Sequence, residues 1–167
     1  MKNTAAAPEH TNTPTNLKGV ILSWSLLRVL TSLLAAYASF WVPITEFEQK
    51  VRLWPLSSPW VTWLRRVLLV PWDRWDVSLY SAIASQGYRV GDGTTQFHPL
   101  YPWLAAPLAR LTGDALFPLL LISSLAGIWA WVALFRLARM DLPGEDARFA
   151  GLLWACFPVA FVLFAPY

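Results

Sequence analysis

Apolar and polar residues lie in long blocks along this chain. Residues 1–16, MKNTAAAPEHTNTPTN, contain no apolar run. Such a Thr-, Asn- and Pro-rich segment cannot bury enough surface to offset the entropy of ordering, so a disordered polar tail is expected. Leu17 to Val42 is then an apolar block of 26 residues, longer than the roughly 20 that span a bilayer.

From Pro43 to His98 the pattern turns mixed and aromatic. Trp60, Trp63, Leu64, Val67 and Leu68 recur at helical spacing. Arg65 and Arg66 fall off that stripe, as expected of a helix lying in the membrane plane whose basic side chains snorkel. A further helix is predicted from about Arg74 to Gln86, stopped at Gly87, where glycine readily takes the left-handed cap. GDG at 91–93 reads as a turn. After FHPLYP (97–102), a short apolar helix runs to about Leu111, too short to cross a membrane on its own.

Ala115 to Ala138 is long enough to span, RMDLPGEDAR (139–148) is a tight turn, and Phe149 to Pro166 makes an apolar stretch of 18 residues, at the lower edge for a span. The pattern thus predicts an all-α integral membrane protein. It has about three transmembrane helices (17–42, 115–138 and 149–166), with an outer interfacial loop and short helices over 43–114.

Composition agrees: 56% of residues are hydrophobic and 14% charged, where soluble domains carry about a quarter charged. Seven of the eleven Trp fall between residues 41 and 103, and Trp concentrates at the headgroup level of bilayers. The net charge of +3 is spread along the chain and makes no footprint for nucleic acid. AYA at 36–38 resembles a signal-peptidase site. However, Arg28 interrupts the block, which is also long for a signal core of about 7–15 residues, so the first segment is expected to stay. Cys156 stands alone inside an apolar run, which excludes a disulfide framework and predicts a small buried hydrophobe.

Charge also bears on orientation. Lys2 and Lys18 precede the first span and Arg136, Arg139 and Arg148 flank the short turn, which favours both on the cytoplasmic side. The 43–98 segment, despite six Lys and Arg residues, is then outside.

The candidate chemistry lies in PWDRWDVSLYSAIASQGY, residues 71–88. Asp73 at the N-cap and Asp76 at the third helical position would make a near relative of the capping box, with both carboxylates favoured by the helix dipole. The same residues also suit a general base held at the membrane surface, where a lipid-linked substrate would present its headgroup. The readings are compatible, because a cap at Asp73 would fix the helix that presents Asp76.

WDRWDVSLYSAIASQGY, followed by FHPLYP and later by FAPY, resembles the GPI mannosyltransferase II (PIG-V-like) family of GT-C membrane glycosyltransferases. The resemblance covers roughly residues 17–167, as the N-terminal part of such an enzyme. It implies transfer of a sugar, with inversion, from a polyprenyl-phosphate donor to an acceptor hydroxyl on a glycan or lipid at the extracytoplasmic face. The compartment would be the plasma membrane in a bacterium or the endoplasmic reticulum, with GPI-anchor biosynthesis, in a eukaryote. Trp75-Asp76 matches the family's Trp-Asp, so the resemblance gives Asp76 the role of base. Asp73 has no counterpart in the family block and is a structural or supporting residue. Tyr80, one helical turn after Asp76 on the same face, is a candidate to orient that carboxylate.

Arg28, near the middle of the first span, is a candidate for the donor phosphate. Tyr101 is one for an acceptor cleft, and His98, where relatives often carry an aromatic residue, is a weaker binding candidate. The leaving group is a lipid phosphate that departs without a proton, so one base suffices, unlike the acid and base of glycosidases. No metal-ligand cluster and no cofactor are expected, although some GT-C enzymes use divalent ions. The resemblance also implies further helices after FAPY. The rival reading is a non-catalytic membrane protein or partner subunit that binds lipid through its Trp-rich loop.

Overall fold

The structure is a computed structural model that describes residues 17–42, 63, 65, 67–73 and 76–157. Among the described residues every regular element is helical. The helices are α1 (Leu17–Ser39), α2 (Asp76–Gln86), α3 (Leu100–Thr112), α4 (Leu116–Asp141) and α5 (Gly144–Ala155). Short 3-10 turns lie at Val70–Trp72 and Thr94–Gln96. This is the all-α class that the apolar blocks predict. The polar tail and the stripe positions Trp60 and Leu64 lie outside the described residues.

α1 has 23 residues and α4 has 26, about 34 and 39 Å at 1.5 Å per residue. Both are long and apolar enough to cross a membrane. Four of their hydroxyls are satisfied within the helix. Ser23, Thr31 and Ser39 in α1 and Ser123 in α4 each donate to the carbonyl three residues earlier, at 2.7 to 3.1 Å. An apolar helix can thereby carry hydroxyls without unmet bonds.

The boundaries shift by a few residues from the sequence reading. α1 ends at Ser39 in a turn rather than at Val42, and α4 runs on to Asp141 rather than Ala138. The charged side chains of Arg139 and Asp141 end the apolar block without ending the helix. That happens at Leu142–Pro143, where the backbone becomes extended. α5 then starts at Gly144, five residues before the apolar stretch, with Glu145 and Asp146 in its first turn, where the helix dipole favours acids. The expected third span runs beyond residue 157, outside the described residues. Cys156 is exposed at the end of α5, which corrects its reading as a buried hydrophobe. At the last turn of a helix an apolar neighbourhood in sequence does not guarantee a covered side chain.

α1 and α4 pack antiparallel. Val20 and Ser23, early in α1, line a small cavity with Trp131 and Phe135, late in α4, and with Ala147 and Gly151 of α5. Arg28, farther along α1, comes near Tyr101, whose hydroxyl donates to the carbonyl of Leu119, early in α4. The core joining them is Val20, Trp24, Trp72, Val77, Leu116, Leu120, Trp131, Phe135 and Ala147. The opposite face of α1, with Leu22, Leu26, Val29, Leu30, Leu33 and Leu34, is exposed, as suits a surface turned to lipid.

α3 explains the prolines of FHPLYP. Pro99 is the residue before the helix and Pro102 lies in its first turn, where an amide hydrogen has no intrahelical acceptor and its loss costs nothing. α3 ends on Gly113 at φ 69°, whose amide donates to the carbonyl of Ala109. Ala105 and Ala109 are buried against Ala84, Ala115 and Leu119. These small side chains let α3 sit closely between α2 and the start of α4.

Candidate functional site

Asp76 opens the described part of α2 and is exposed, whereas Val77 and Ser78 behind it are buried. Arg74 and Trp75 lie outside the described residues. Asp73 is buried, 5% exposed, and its Oδ1 accepts a hydrogen bond from the hydroxyl of Ser78 at 3.2 Å. The two carboxylates of WDRWD therefore have opposite surroundings: Asp73 is held inside, and Asp76 faces out.

One turn after Asp76, Tyr80 packs edge-on against Phe97, with ring centroids 5.0 Å apart, and against Tyr101 at 5.2 Å. Burial raises the Tyr80 phenol above its usual range, and the charge of Asp76 raises it further. Tyr101, in the first turn of α3, donates to the carbonyl of Leu119 at 2.8 Å. Burial pushes its phenol well up, with the Ser123 hydroxyl and the charge of Arg28 acting against that rise. Arg28 itself lies over the ring of Trp72, 4.4 Å from the centroid. Arg28 thus lies beside both Trp72 and Tyr101, and Tyr101 leads through Tyr80 to Asp76, although these residues come from four separate stretches of chain. His98 is exposed just ahead of α3 and is not part of this wall.

Sequence reading missed Trp72 and Phe97. Trp72 precedes Asp73 and looked like one more interfacial Trp, while Phe97 opens FHPLYP and was passed over for the prolines. A signal was available for Phe97, because Tyr80, Phe97 and Tyr101 are the aromatic residues flanking the turn that joins α2 to α3.

That turn is built locally. Gly87, Gly91 and Gly93 have φ of 79°, 89° and 83°, a region that glycine enters without steric cost. The buried hydroxyl of Thr94 accepts from the Arg89 amide at 3.0 Å and donates to Asp92 Oδ1 at 2.6 Å. Bonds from the Thr94 hydroxyl and amide hold the Asp92 carboxyl below the usual carboxylate range. Tyr88 closes the loop by donating to the carbonyl of Phe97 at 2.9 Å.

A second support lies at the other end of α3. The loop helix that includes residues 63, 65, 67 and 68 turns Trp63 and Leu68 outward and buries Arg65 against Asp114. This corrects the expectation that Arg65 snorkels, because the periodicity of the apolar stripe cannot register a carboxylate 49 residues away. Two polar atoms near these elements are buried without hydrogen-bond partners: Nη1 of Arg28 and Oγ of Ser81 on α2. Among the described residues no three His, Cys, Asp or Glu side chains converge to hold a metal ion.

Residues 96–166 match the family model described as dolichyl-phosphate-mannose-protein mannosyltransferase. The match takes in His98, Tyr101 and helices α3, α4 and α5, and leaves out Arg28, Asp73, Asp76 and Tyr80. No curated protein and no solved structure gives a match. Together with the two long apolar helices, the family match supports a membrane protein. Over 71 of its 167 residues the chain is similar to a mannosyltransferase family of the GT-C type.

Proposed function

We propose that the chain is part of a membrane glycosyltransferase that moves a hexose, mannose or a close relative, from a polyprenyl-phosphate sugar to an acceptor hydroxyl. The observation that carries this reading is the position of Asp76. Its carboxylate is exposed on the first turn of α2, and α2 packs directly on α3, near the start of the segment similar to mannosyltransferases. Resemblance of the WDRWDVSLYSAIASQGY block to the PIG-V-like family supports the same residue.

In the proposed step Asp76 takes the proton from the acceptor hydroxyl. The hydroxyl oxygen attacks the anomeric carbon from the face opposite the phosphate. The bond from that carbon to the phosphate oxygen breaks, and the lipid phosphate leaves with the electron pair, so the anomeric centre inverts. Tyr80 and Tyr101 form an aromatic wall beside the base. Such walls suit the apolar faces of sugar rings. An outward-facing first loop, with the N-terminus and residues 139–147 in the cytoplasm, agrees with the antiparallel α1 and α4 and with the basic residues at one end.

The test is Asp76→Asn in membranes bearing the full protein, assayed with a radiolabelled polyprenyl-phosphate mannose. Asn keeps the size but cannot take the proton, so the rate should fall by about 10²–10⁴-fold, the usual worth of a general base. Full activity in this variant would leave the Trp-rich surface as a lipid anchor only.

A further inference from the structure

The cavity where α1, α4 and α5 meet takes no part in the chemistry proposed above. It holds about 310 Å³ of empty space, its open mouth included. Its walls are apolar: Val20 from α1, Trp131 and Phe135 from α4, and Leu152 from α5. Gly151 leaves room beside the Trp131 ring, because a methyl group added there would only touch it, at 3.8 Å. Ser23 offers no polar hold, since its hydroxyl donates to the carbonyl of Val20 at 2.7 Å. Among the described residues, the one charge in the lining is Arg148. Its side chain is 42% exposed and meets Glu145, 89% exposed, at 3.5 Å. So exposed a pair holds weakly, and the guanidinium is free to change partners.

Position narrows the occupant. The lining lies near the beginnings of α1 and α5 and toward the end of α4. In a spanning bundle that is the edge of the hydrocarbon, where Lys18, Arg136 and Arg139 also gather. Asp141, Glu145 and Asp146 share this end, but none of them lines the cavity. The Tyr101 hydroxyl bonds the carbonyl of Leu119, twelve residues before Trp131, about 18 Å away along α4. The cavity is therefore apart from Asp76 and its aromatic wall.

We propose that this cavity seats the chain of an anionic phospholipid, with Arg148 on its phosphate. An apolar cavity stays dry, and leaving it empty forfeits packing contacts. A lipid chain enters it directly from hydrocarbon and exposes no apolar surface in doing so. Basic pockets between spanning helices take anionic headgroups in the same way. A soluble anion would have no use for the apolar walls, and a neutral lipid none for Arg148. On binding, the phosphate displaces Glu145 from Arg148. The lipid then ties the start of α1 to the α4–α5 turn, independently of the transferase chemistry.

The experiment uses the full protein in a phosphate-free, non-ionic detergent, titrated separately with phosphatidylglycerol, phosphatidylcholine and glycerol phosphate. Bound lipid is counted by native mass spectrometry, and melting midpoints are taken alongside. Wild type should bind phosphatidylglycerol more tightly than phosphatidylcholine and melt higher with it, and glycerol phosphate should do nothing. Arg148→Gln should weaken phosphatidylglycerol binding about fivefold, the usual worth of one basic side chain at a membrane surface. Glu145→Gln should tighten it about twofold, since the competing pair is gone. Gly151→Leu, which fills the space, should abolish the saturable lipid. Asp76→Asn should bind as wild type does, so this site and the catalytic reading fail separately.

Unchanged phosphatidylglycerol affinity in both Arg148→Gln and Glu145→Gln would overturn the proposal, and so would equal binding of the two lipids. No saturable lipid in wild type would mean that another part of the full protein fills the cavity, which overturns it too. Binding of glycerol phosphate, weakened in Arg148→Gln, would assign Arg148 to a soluble anion instead. If Gly151→Leu melts far below wild type, the opposite shifts of Arg148→Gln and Glu145→Gln decide, since both side chains lie at the surface.

Discussion

Arg65 and Asp114, 49 residues apart, meet in a buried ion pair. The guanidinium Nε donates to Oδ2 and Nη2 donates to Oδ1 at 3.3 Å, with the two side chains 7% and 12% exposed. Asp114 Oδ1 also accepts the amide of Leu116 at 2.8 Å. One carboxylate therefore ties the first-loop helix to the turn between α3 and α4 and starts α4.

Removing one partner of such a pair leaves a buried charge, which costs about 3–5 kcal/mol. Asp114→Ala, which also removes the acceptor of the Leu116 amide, should lower stability by up to about that much in unfolding experiments in detergent. Asp114→Asn should lose less, since it keeps an acceptor for the Leu116 amide. Combining Arg65→Met with Asp114→Asn should recover part of the loss, giving a coupling of about 1–3 kcal/mol in a double-mutant cycle. Strict additivity of the two single changes would show that the pair contributes nothing as a pair.

Asp73 and Asp76 should separate cleanly in function. Asn at position 73 can still accept the Ser78 hydroxyl, so Asp73→Asn should keep most transferase activity and stability. Asp73→Ala strands that buried hydroxyl and should cost about 1–3 kcal/mol, visible as a lower melting midpoint with a modest loss of rate. If Asp73→Asn abolishes turnover while Asp76→Asn preserves it, the roles are exchanged.

Tyr101 makes the fold sensitive to alkali. Burial raises its phenol above the ordinary value near 10, so above that pH the unfolded chain releases a proton that the folded chain retains. The folded state then binds more protons, and its stability falls as pH rises. The contribution is complete below about pH 10 and is lost above it. Melting midpoints taken from pH 8 to 11 should drop steeply at the top of the range in wild type and less steeply in Tyr101→Phe. Equal slopes would remove Tyr101 as the cause.

Topology is open to labelling. In a Cys156→Ala background, Val90→Cys at the fully exposed tip of the α2–α3 loop should react with an impermeant thiol reagent on intact cells. Asp146→Cys, in the first turn of α5, should react only after permeabilisation. The reverse pattern would invert the orientation.

The long elements were legible because they are local. Apolar blocks of bilayer length gave α1 and α4, Gly87 marked the end of α2, and the prolines of FHPLYP marked the start of α3. Asp76, Tyr80, Tyr101 and Arg28 were each singled out by residue type and setting. Their assembly was not legible, since it depends on which faces of α1, α2 and α3 turn toward one another. Arg65 shows the limit most plainly: by periodicity it belonged on a polar face, yet Asp114, invisible to any short window, draws it inside. The burial of Asp73 and the exposure of Asp76 were equally out of reach, because an N-cap and a buried acceptor for Ser78 ask for the same residue type.

The loop between α2 and α3 closes through bonds between residues at most nine apart: Tyr88 with Phe97, Arg89 with Thr94, and Asp92 with Thr94. Short closures lose little chain entropy and form fast. During synthesis this loop can therefore reach its final shape once Phe97 is free of the ribosome, before α4 exists. The Arg65–Asp114 pair must wait for another stretch of chain. The aromatic contact of Tyr80 with Phe97 would then be in place first, and Tyr101 would dock onto a finished surface as α3 emerges. A delay in translation after residue 97 should be harmless to the loop, whereas one before Asp114 leaves the Arg65 helix without its anchor.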